Sequence, residues 1–573
     1  MTGMKRYILL VMTAAALVAC GFLEENNTSY PTADSYYTSA EKIRTGLNGL
    51  YDPVRNIYSA AMFLMTEAAT DVIFLSSYTR PDANCVISPS NPCHGKNVWK
   101  QGYIGVMRAN EMCSVISSAL EKGYINEEDY KLLYGEAVVM RAMYYYCLTS
   151  VFGDVPFYLV PVTEENRAEI AHLGRTPAFQ IRDVLIRQLM TVLLPQDKGG
   201  EEYLPFRRSY EEGTDYHAGA ALGLMLAGKF CMWNERYEDA ITVLSCLEQI
   251  YGGPFGDNPD SFAAMYPLTD IPFQKKWTKE SIFEISNKVE NYGQQEYYTL
   301  ASYCTPSRSS VAVDDEEDET DESASVVTNN YNGVIIPGMS AYARTYKAAR
   351  PTNYYLTLLN YNSTDLRVCE YKDGSLEPIG SSGNLAYCWP GYDAETNPSQ
   401  QGEVKILWFN ELYDKDADGN KKANPDKTNR PWLGNKFWCP TMYYYRDSNN
   451  PKVFRLAGAM LNLAEAYLMT GDMANACKYL NVTMIRAGRT KYSSSDTDTV
   501  MEEIRKEAAR ELFGEFQRKF DLVRWGIWYE ETLKNTNSSY LKSYIRPYHK
   551  YYPIPADQVS YSGGALNNND YLE

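Results

Sequence analysis

The sequence predicts a mostly α-helical protein, a scaffold of antiparallel helical hairpins with a large loop-rich insertion that carries short strands. Three observations lead there. Apolar residues recur at helical spacing through much of the first half of the chain and again near its end. Two of these stretches repeat one helix–turn–helix pattern. Between them, from about Gly252 to Asp447, Pro, Gly and aromatic residues displace the periodicity and leave only strand-like runs such as SIFEISNK and EVKILWFN.

The first element is a leader. Lys5 and Arg6 head an apolar run, Tyr7 to Val18, that falls short of the about 20 residues a membrane-spanning helix needs. The run ends on LVAC, Leu17 to Cys20, which resembles the bacterial lipobox, whose cysteine thiol is lipidated and becomes the new N-terminus. Residues 1–19 are therefore expected to be a signal peptide and 20–40 a lipid anchor and tether beginning at Cys20. The alternative is an ordinary secretory peptide cut near Ala19. No later run reaches the length of a span, so lipid is the expected hold on the membrane.

The hairpins come next. In AGAALGLMLAGKFCMWNERYEDAITVLSCLEQ, Leu222, Met225, Leu226 and Lys229 step along one face; after Asn234 and Glu235 a second helix carries Ala240, Leu244 and Leu247. Gly228, Tyr237 and Ala240 fall where a tetratricopeptide repeat needs a tiny residue for close helix crossing and a ring to plug the gap. In AGAMLNLAEAYLMTGDMANACKYLNVTMIRAG, Ala464, Gly471 and Ala476 keep the spacing of Gly228, Glu235 and Ala240. A third stretch, YGEAVVMRAMYYYCLTSVFGDVP, offers Ala137, Ala142 and Tyr145 before Gly153 and Pro156 stop the helix. The scaffold is thus expected over about 41–251 and 448–545 and the insertion over about 252–447, with the acidic run Asp314 to Ser323 a solvated loop. Generic antiparallel helices remain the alternative to true repeats.

Composition narrows the function. A net charge of -17 over 573 residues argues against nucleic acid, which needs a basic patch. The chain has 49 Tyr, 9 Trp and 18 Phe, side chains that suit wet recognition surfaces as well as cores. Of its 12 cysteines, Cys147, Cys231 and Cys477 sit in apolar helical patterns and read as small buried hydrophobes. Cys85 and Cys93 bracket the loop NCVISPSNPC, where a disulfide would be compatible with an oxidising compartment.

Together, the lipobox start, GEAVVMRAMYYYCLTSVFGDVPFYLVPV, RLAGAMLNLAEAYLMTGDMANACKYLNVTMIRAG, IRKEAARELFGEFQRKFDLVRWG and the ending YYPIPADQV resemble the RagB/SusD family of outer-membrane nutrient-binding lipoproteins. The blocks occur in the family's order over nearly the whole chain. The resemblance implies one SusD-like domain over 41–573, a loop-rich ligand face, a position on the outer membrane facing the cell exterior, and a TonB-dependent SusC-like transporter as partner. It implies capture of oligosaccharides, or in some members peptides, without chemistry. The family has no invariant ligand motif, so candidate ligand residues must come from chemistry.

Sugar rings stack their CH faces on aromatics and need polar partners at the rim. Three loops fit: LSSYTRPDANC, with Tyr78, Arg80, Asp82 and Asn84; VENYGQQEYYTLASY, with Tyr292, Gln294, Gln295, Tyr297 and Tyr298; and YCWPGYD, with Trp389 and Tyr392. Trp99 and Tyr103 sit at helical spacing and read as core, as does Trp525. In DKDADGN, Asp414, Asp416 and Asp418 alternate before Gly419 like the start of a calcium loop, but the twelfth position is Pro425 where a bidentate Glu is needed. A solvated acidic turn is preferred there, with calcium the alternative and no other cofactor expected.

Catalysis finds little support: His94, His172, His217 and His549 form no HExxH pattern, and there is no GxSxG elbow. Glu511, Glu515 and Asp521 resemble paired carboxylates, but Arg510, Arg518 and Arg524 beside them favour a structural ion-pair network. The expected function is glycan capture for a transporter without enzymatic activity. Peptide or glycopeptide capture is the first rival. A lipid-anchored glycoside hydrolase is the second, because its two acids need no fixed spacing.

Overall fold

Asn126, Asp472 and Asp496 each start a helix by accepting a backbone N–H bond from the residue three positions on, Asp129, Asn475 and Thr499. Such caps satisfy donors that the first turn leaves unpaired. A computed structural model describes residues 33–75, 80–193, 217–287, 299–304, 348–359, 446–571 and short pieces between 330 and 439. The signal peptide, Cys20, the first part of the tether and the acidic run 314–323 lie outside the described residues.

The main helices are α1 (His94–Glu121), α2 (Glu127–Phe152), α3 (Ala178–Leu193), α4 (Ala220–Trp233), α5 (Tyr237–Ile250), α6 (Leu456–Met469), α7 (Met473–Arg486), α8 (Thr497–Glu511) and α9 (Arg518–Arg524). Helices α1 to α7 pack in sequence, each on the next, and α8 closes over α6 and α7. Both expected hairpins are present, as α4–α5 and α6–α7, and α5 packs directly on α6, so the scaffold is continuous across the insertion. The third stretch becomes α2, which stops at Gly153 (φ +70°) and packs against both α1 and α3.

Gly228 explains the close crossing of α4 and α5. A Cβ at this position would lie 2.4 Å from Cδ2 of Leu244, a residue with 0% exposure. Full burial of such a leucine contributes about 1.5–3 kcal/mol, so the glycine admits a contact that alanine would obstruct. Trp99 and Cys147 are core, Tyr103 packs against it with its hydroxyl donating to the Pro156 carbonyl at 2.9 Å, and Trp525 is half-buried.

The insertion begins and ends inside this core: Phe255, Phe262, Phe273 and Phe437 are buried in it. Strand β2 (Ser281–Glu284), from the run SIFEISNK, pairs antiparallel with β4 (Lys452–Arg455), which leads into α6. Strand β1 (Ile73–Leu75) pairs antiparallel with β3 (Ala349–Pro351), bringing Leu75 opposite Ala349. Ile406–Trp408, from EVKILWFN, pairs with Ala386–Cys388. Among the described residues no helix is long and apolar enough to cross a membrane.

The expected ion-pair network is present but its partners differ. Arg518 pairs with Asp71 at 2.6 Å, Arg510 with Glu503 and Glu507, and Arg524 with Glu465 and Asp521. Glu511 and Glu515 instead meet cations from distant segments. Glu511 is reached by Arg455 (2.9 Å), Arg486 (2.5 Å) and Arg367 (3.1 Å), and Glu515 by Arg455 (2.8 Å) and Lys436 (2.6 Å). Burial would raise the Glu511 carboxyl, but Arg486, Arg455 and Arg367 outweigh it and hold the group well below the usual carboxylate range. Carboxylates so enclosed are tie points between α8, β4, α7 and the insertion.

Candidate functional site

Four segments of the chain meet at one rim of the scaffold. Leu75 ends β1 opposite Ala349 of β3; Ala348, just before β3, donates its N–H to the Tyr303 carbonyl at 3.1 Å; and the Arg80 guanidinium carbon lies 5.3 Å from the centre of the Tyr303 ring. Both ends of segments 76–79 and 305–347, and the C-terminal end of 288–298, are thereby anchored side by side. Rigid anchors that carry loops are a common basis for recognition.

Each anchor has a local cause. Arg80 is the N-cap of the one-turn helix Pro81–Asn84, where proline at the first position suits the helical φ and lacks the donor that would go unpaired. Arg80 is exposed. Asp82 in the same turn accepts from the Tyr552 hydroxyl at 3.1 Å and the His94 N–H at 3.3 Å; burial pushes its carboxyl up to about 6, against the pull of these bonds. In the short helix Leu300–Cys304, the other four residues are buried and Tyr303 is half-buried. Asp447 fixes that helix by accepting the Ala301 N–H at 2.8 Å, and burial raises its carboxyl to about 7. The helix Ser539–Tyr544 packs on the Pro81–Asn84 turn and leaves Tyr540 and Tyr544 exposed.

The structure therefore joins the first two loops expected from sequence, through Arg80 and Tyr303. Tyr303 closes the stretch VENYGQQEYYTLASY but was not among the expected ligand residues; its signal was a single ring among the small residues Ala301, Ser302 and Cys304. Asn84 requires correction as a ligand contact. It is 1% exposed, its amide donates to the Arg80 carbonyl at 3.1 Å, and its oxygen accepts from Ser538 Oγ at 3.4 Å, so it braces the turn that presents Arg80. Tyr78, Tyr292, Tyr297, Tyr298, Trp389 and Tyr392 lie outside the described residues.

The disulfide expected between Cys85 and Cys93 is not formed, and both thiols are free. Cys85 turns into a small apolar cluster with Ala69, Leu522 and Trp528, whereas the Cys93 sulfur lies 3.6 Å from the Asn91 carbonyl and side-chain oxygens. Burial pushes both thiols up to about 11. Asp414 stands in a hairpin strand opposite Lys422, while Asp416 and Asp418 lie outside the described residues. Among the described residues no group of three metal-binding side chains converges.

A guanidinium lying over a ring on an exposed rim can hold a polar ligand with a flat apolar face. Arg supplies a planar fork of donors and tyrosine a stacking surface. The nearby carboxylates are buried and bonded to the fold: Asp447 accepts two backbone N–H groups, and Glu67, raised by burial to about 8, accepts those of Gly514 and Arg518. These acids position backbone.

Comparison with known proteins gives a consistent picture. Residues 279–571 match the model of the SusD family, and residues 21–181 match a second model described as starch-binding associating with outer membrane. The chain is 23% identical to SusD-like protein P25 of Formosa agariphila over 96% of each chain. Among solved structures it resembles a SusD-like protein from Bacteroides fragilis (20% identity, TM-score 0.60, covering 94% of this chain and 98% of that one). It also resembles surface glycan-binding protein A from Bacteroides thetaiotaomicron in complex with laminarihexaose (19% identity, TM-score 0.60, 93% and 99%).

Proposed function

Because the chain belongs to the SusD family, we propose that it is a non-catalytic cell-surface protein that captures an oligosaccharide at the Arg80–Tyr303 rim and delivers it to a TonB-dependent SusC-like transporter of the outer membrane. The observation that carries this reading is the cation–ring pair itself, the Arg80 guanidinium over the Tyr303 ring at 5.3 Å, at the meeting point of the loop anchors. The pair combines the apolar face and hydrogen-bond donors that a sugar ring requires. The solved structure of surface glycan-binding protein A with laminarihexaose, similar over nearly its whole length, supports the ligand class. The aromatics Tyr78, Tyr292, Tyr297, Tyr298, Trp389 and Tyr392 are proposed to complete the site from the loops, and a lipid on Cys20 to tether the protein, facing outward.

The reading is tested by probing an oligosaccharide array that includes laminarihexaose and then following each bound sugar by chromatography. Binding with the sugar recovered intact is expected. Hydrolysis would favour the glycosidase reading, and binding confined to a peptide panel would favour peptide capture. Mass spectrometry of membrane-extracted protein is expected to find the lipid on an N-terminal Cys20.

A further inference from the structure

A cavity of about 280 Å³ opens between the corner that follows α2 and the C-terminal segment. Its framework is held by backbone bonds. Tyr552 donates its N–H to the Val151 carbonyl at 2.8 Å, and Ile554 and Asn568 exchange two bonds at 2.7 and 2.9 Å. At the corner, Gly153 has φ +70°, and a Cβ there would stand 3.1 Å from the Tyr551 ring. The glycine thus lets a tyrosine face close onto the turn.

The lining alternates rings with charge. Tyr548 and Tyr571 lie with ring centres 4.9 Å apart, and the Lys550 ammonium sits 5.7 Å from the centre of the Tyr551 ring. Arg175 pairs with Asp570 at 3.1 Å and donates through Nε to the Asp154 carbonyl at 3.0 Å. One carboxylate oxygen of Asp154 accepts the Ala178 N–H at 2.7 Å. The charged groups lining the cavity, Arg175 and Lys550 against Asp154 and Asp570, are balanced. A surplus of cations would suit an anion and a surplus of carboxylates a cation. Balanced donors and acceptors around aromatic faces suit a neutral polyhydroxylated ring. The volume lies just below the range of about 300–1,000 Å³ typical of small-molecule sites, which fits one sugar ring and not a chain.

We propose that this cavity is a second carbohydrate site, taking a single neutral sugar residue, separate from the Arg80–Tyr303 rim. It rests on the glycan-binding reading for its ligand class but on different residues. The cavity is tied to the segment that Arg80 begins: Tyr552, which lines it, donates to Asp82, and the Tyr571 hydroxyl donates to the Ile87 carbonyl at 3.1 Å.

The test is saturation-transfer NMR with glucose, galactose and N-acetylglucosamine as probes on the full chain, with oligosaccharide binding measured in parallel. At least one monosaccharide is expected to receive transfer from both the wild type and Arg80→Ala. The double variant Lys550→Ala/Asp570→Ala is expected to bind it about tenfold or more weakly, as loss of polar contacts in a small site implies. Both substituted residues are exposed, so an unchanged melting temperature is expected to accompany the loss. Transfer that is unchanged in the double variant, or that disappears in Arg80→Ala alone, overturns the second site. Silence from all three monosaccharides while an oligosaccharide still binds overturns it and leaves the rim reading intact, whereas failure of every sugar overturns both.

Discussion

Arg455 and Arg80 are the same side chain in opposite settings. Arg455, 1% exposed, is held between Glu280, Glu511 and Glu515, and its guanidinium knits β4 to the end of α8. Arg80 is exposed and lies over one tyrosine. In the interior, charge is enclosed and matched, so removing one partner strands the others in a medium that solvates them poorly. At the rim, water already solvates the guanidinium, and a contact through its face leaves donors for a ligand. The contrast separates residues that make the fold from residues that can use it, although both sets are rich in Arg, Glu and Tyr.

The contrast can be pressed first from the interior. Arg455→Ala leaves Glu280, Glu511 and Glu515 short of a cation, and a loss of about 3–5 kcal/mol is expected, read as a shift in the urea midpoint. A loss below 1 kcal/mol would mean that the enclosed pairs are not tie points. Next comes packing without charge: Gly228→Ala drives a methyl into Leu244 and is expected to cost about 1–3 kcal/mol, measured in the same way.

A smaller effect distinguishes the acids by pH. Asp82, Asp447 and Glu67 have carboxyls raised by burial to about 6, 7 and 8. Their neutral forms are the ones the fold favours, so the stability they contribute is fully present below their unfolded values near pH 4 and is lost as pH rises through about 6, 7 and 8. Glu511 and Asp365 are held low by their arginines despite burial. Their contribution is present above about pH 4 and lost as pH falls further. The melting temperature is therefore expected to fall from pH 5 to pH 8 and also below pH 4. In Asp82→Asn, which keeps the acceptor oxygen, the part of the slope between pH 4 and pH 6 should flatten.

Much of the scaffold was legible because helix crossing leaves a local mark. The interval from Gly228 to Ala240 recurs from Ala464 to Ala476, and both hairpins formed. The ion-pair network was legible in kind, since Arg and Glu clustered on α8, and Arg518, Asp521 and Arg524 on α9, advertise pairing. Its partners were not, because Arg455, Arg486, Arg367 and Lys436 are brought to Glu511 and Glu515 by tertiary contacts that no spacing encodes. The candidate site was legible in part. Arg80 was among the expected ligand residues and is exposed, but Asn84 in the same turn is buried because Ser538, at the start of the Ser539–Tyr544 helix, packs against it, a tertiary contact that no spacing encodes. Tyr303 went unnoticed because its exposure depends on which side of a five-residue helix the core covers.

The most direct test of the rim is calorimetric titration of the tightest oligosaccharide from the array into wild type and Arg80→Ala, with melting curves alongside. The account predicts about tenfold weaker binding in Arg80→Ala, equivalent to about 1.4 kcal/mol, with folding stability within about 0.5 kcal/mol of wild type, as for an ordinary surface substitution. Unchanged affinity in a protein of unchanged stability would contradict it.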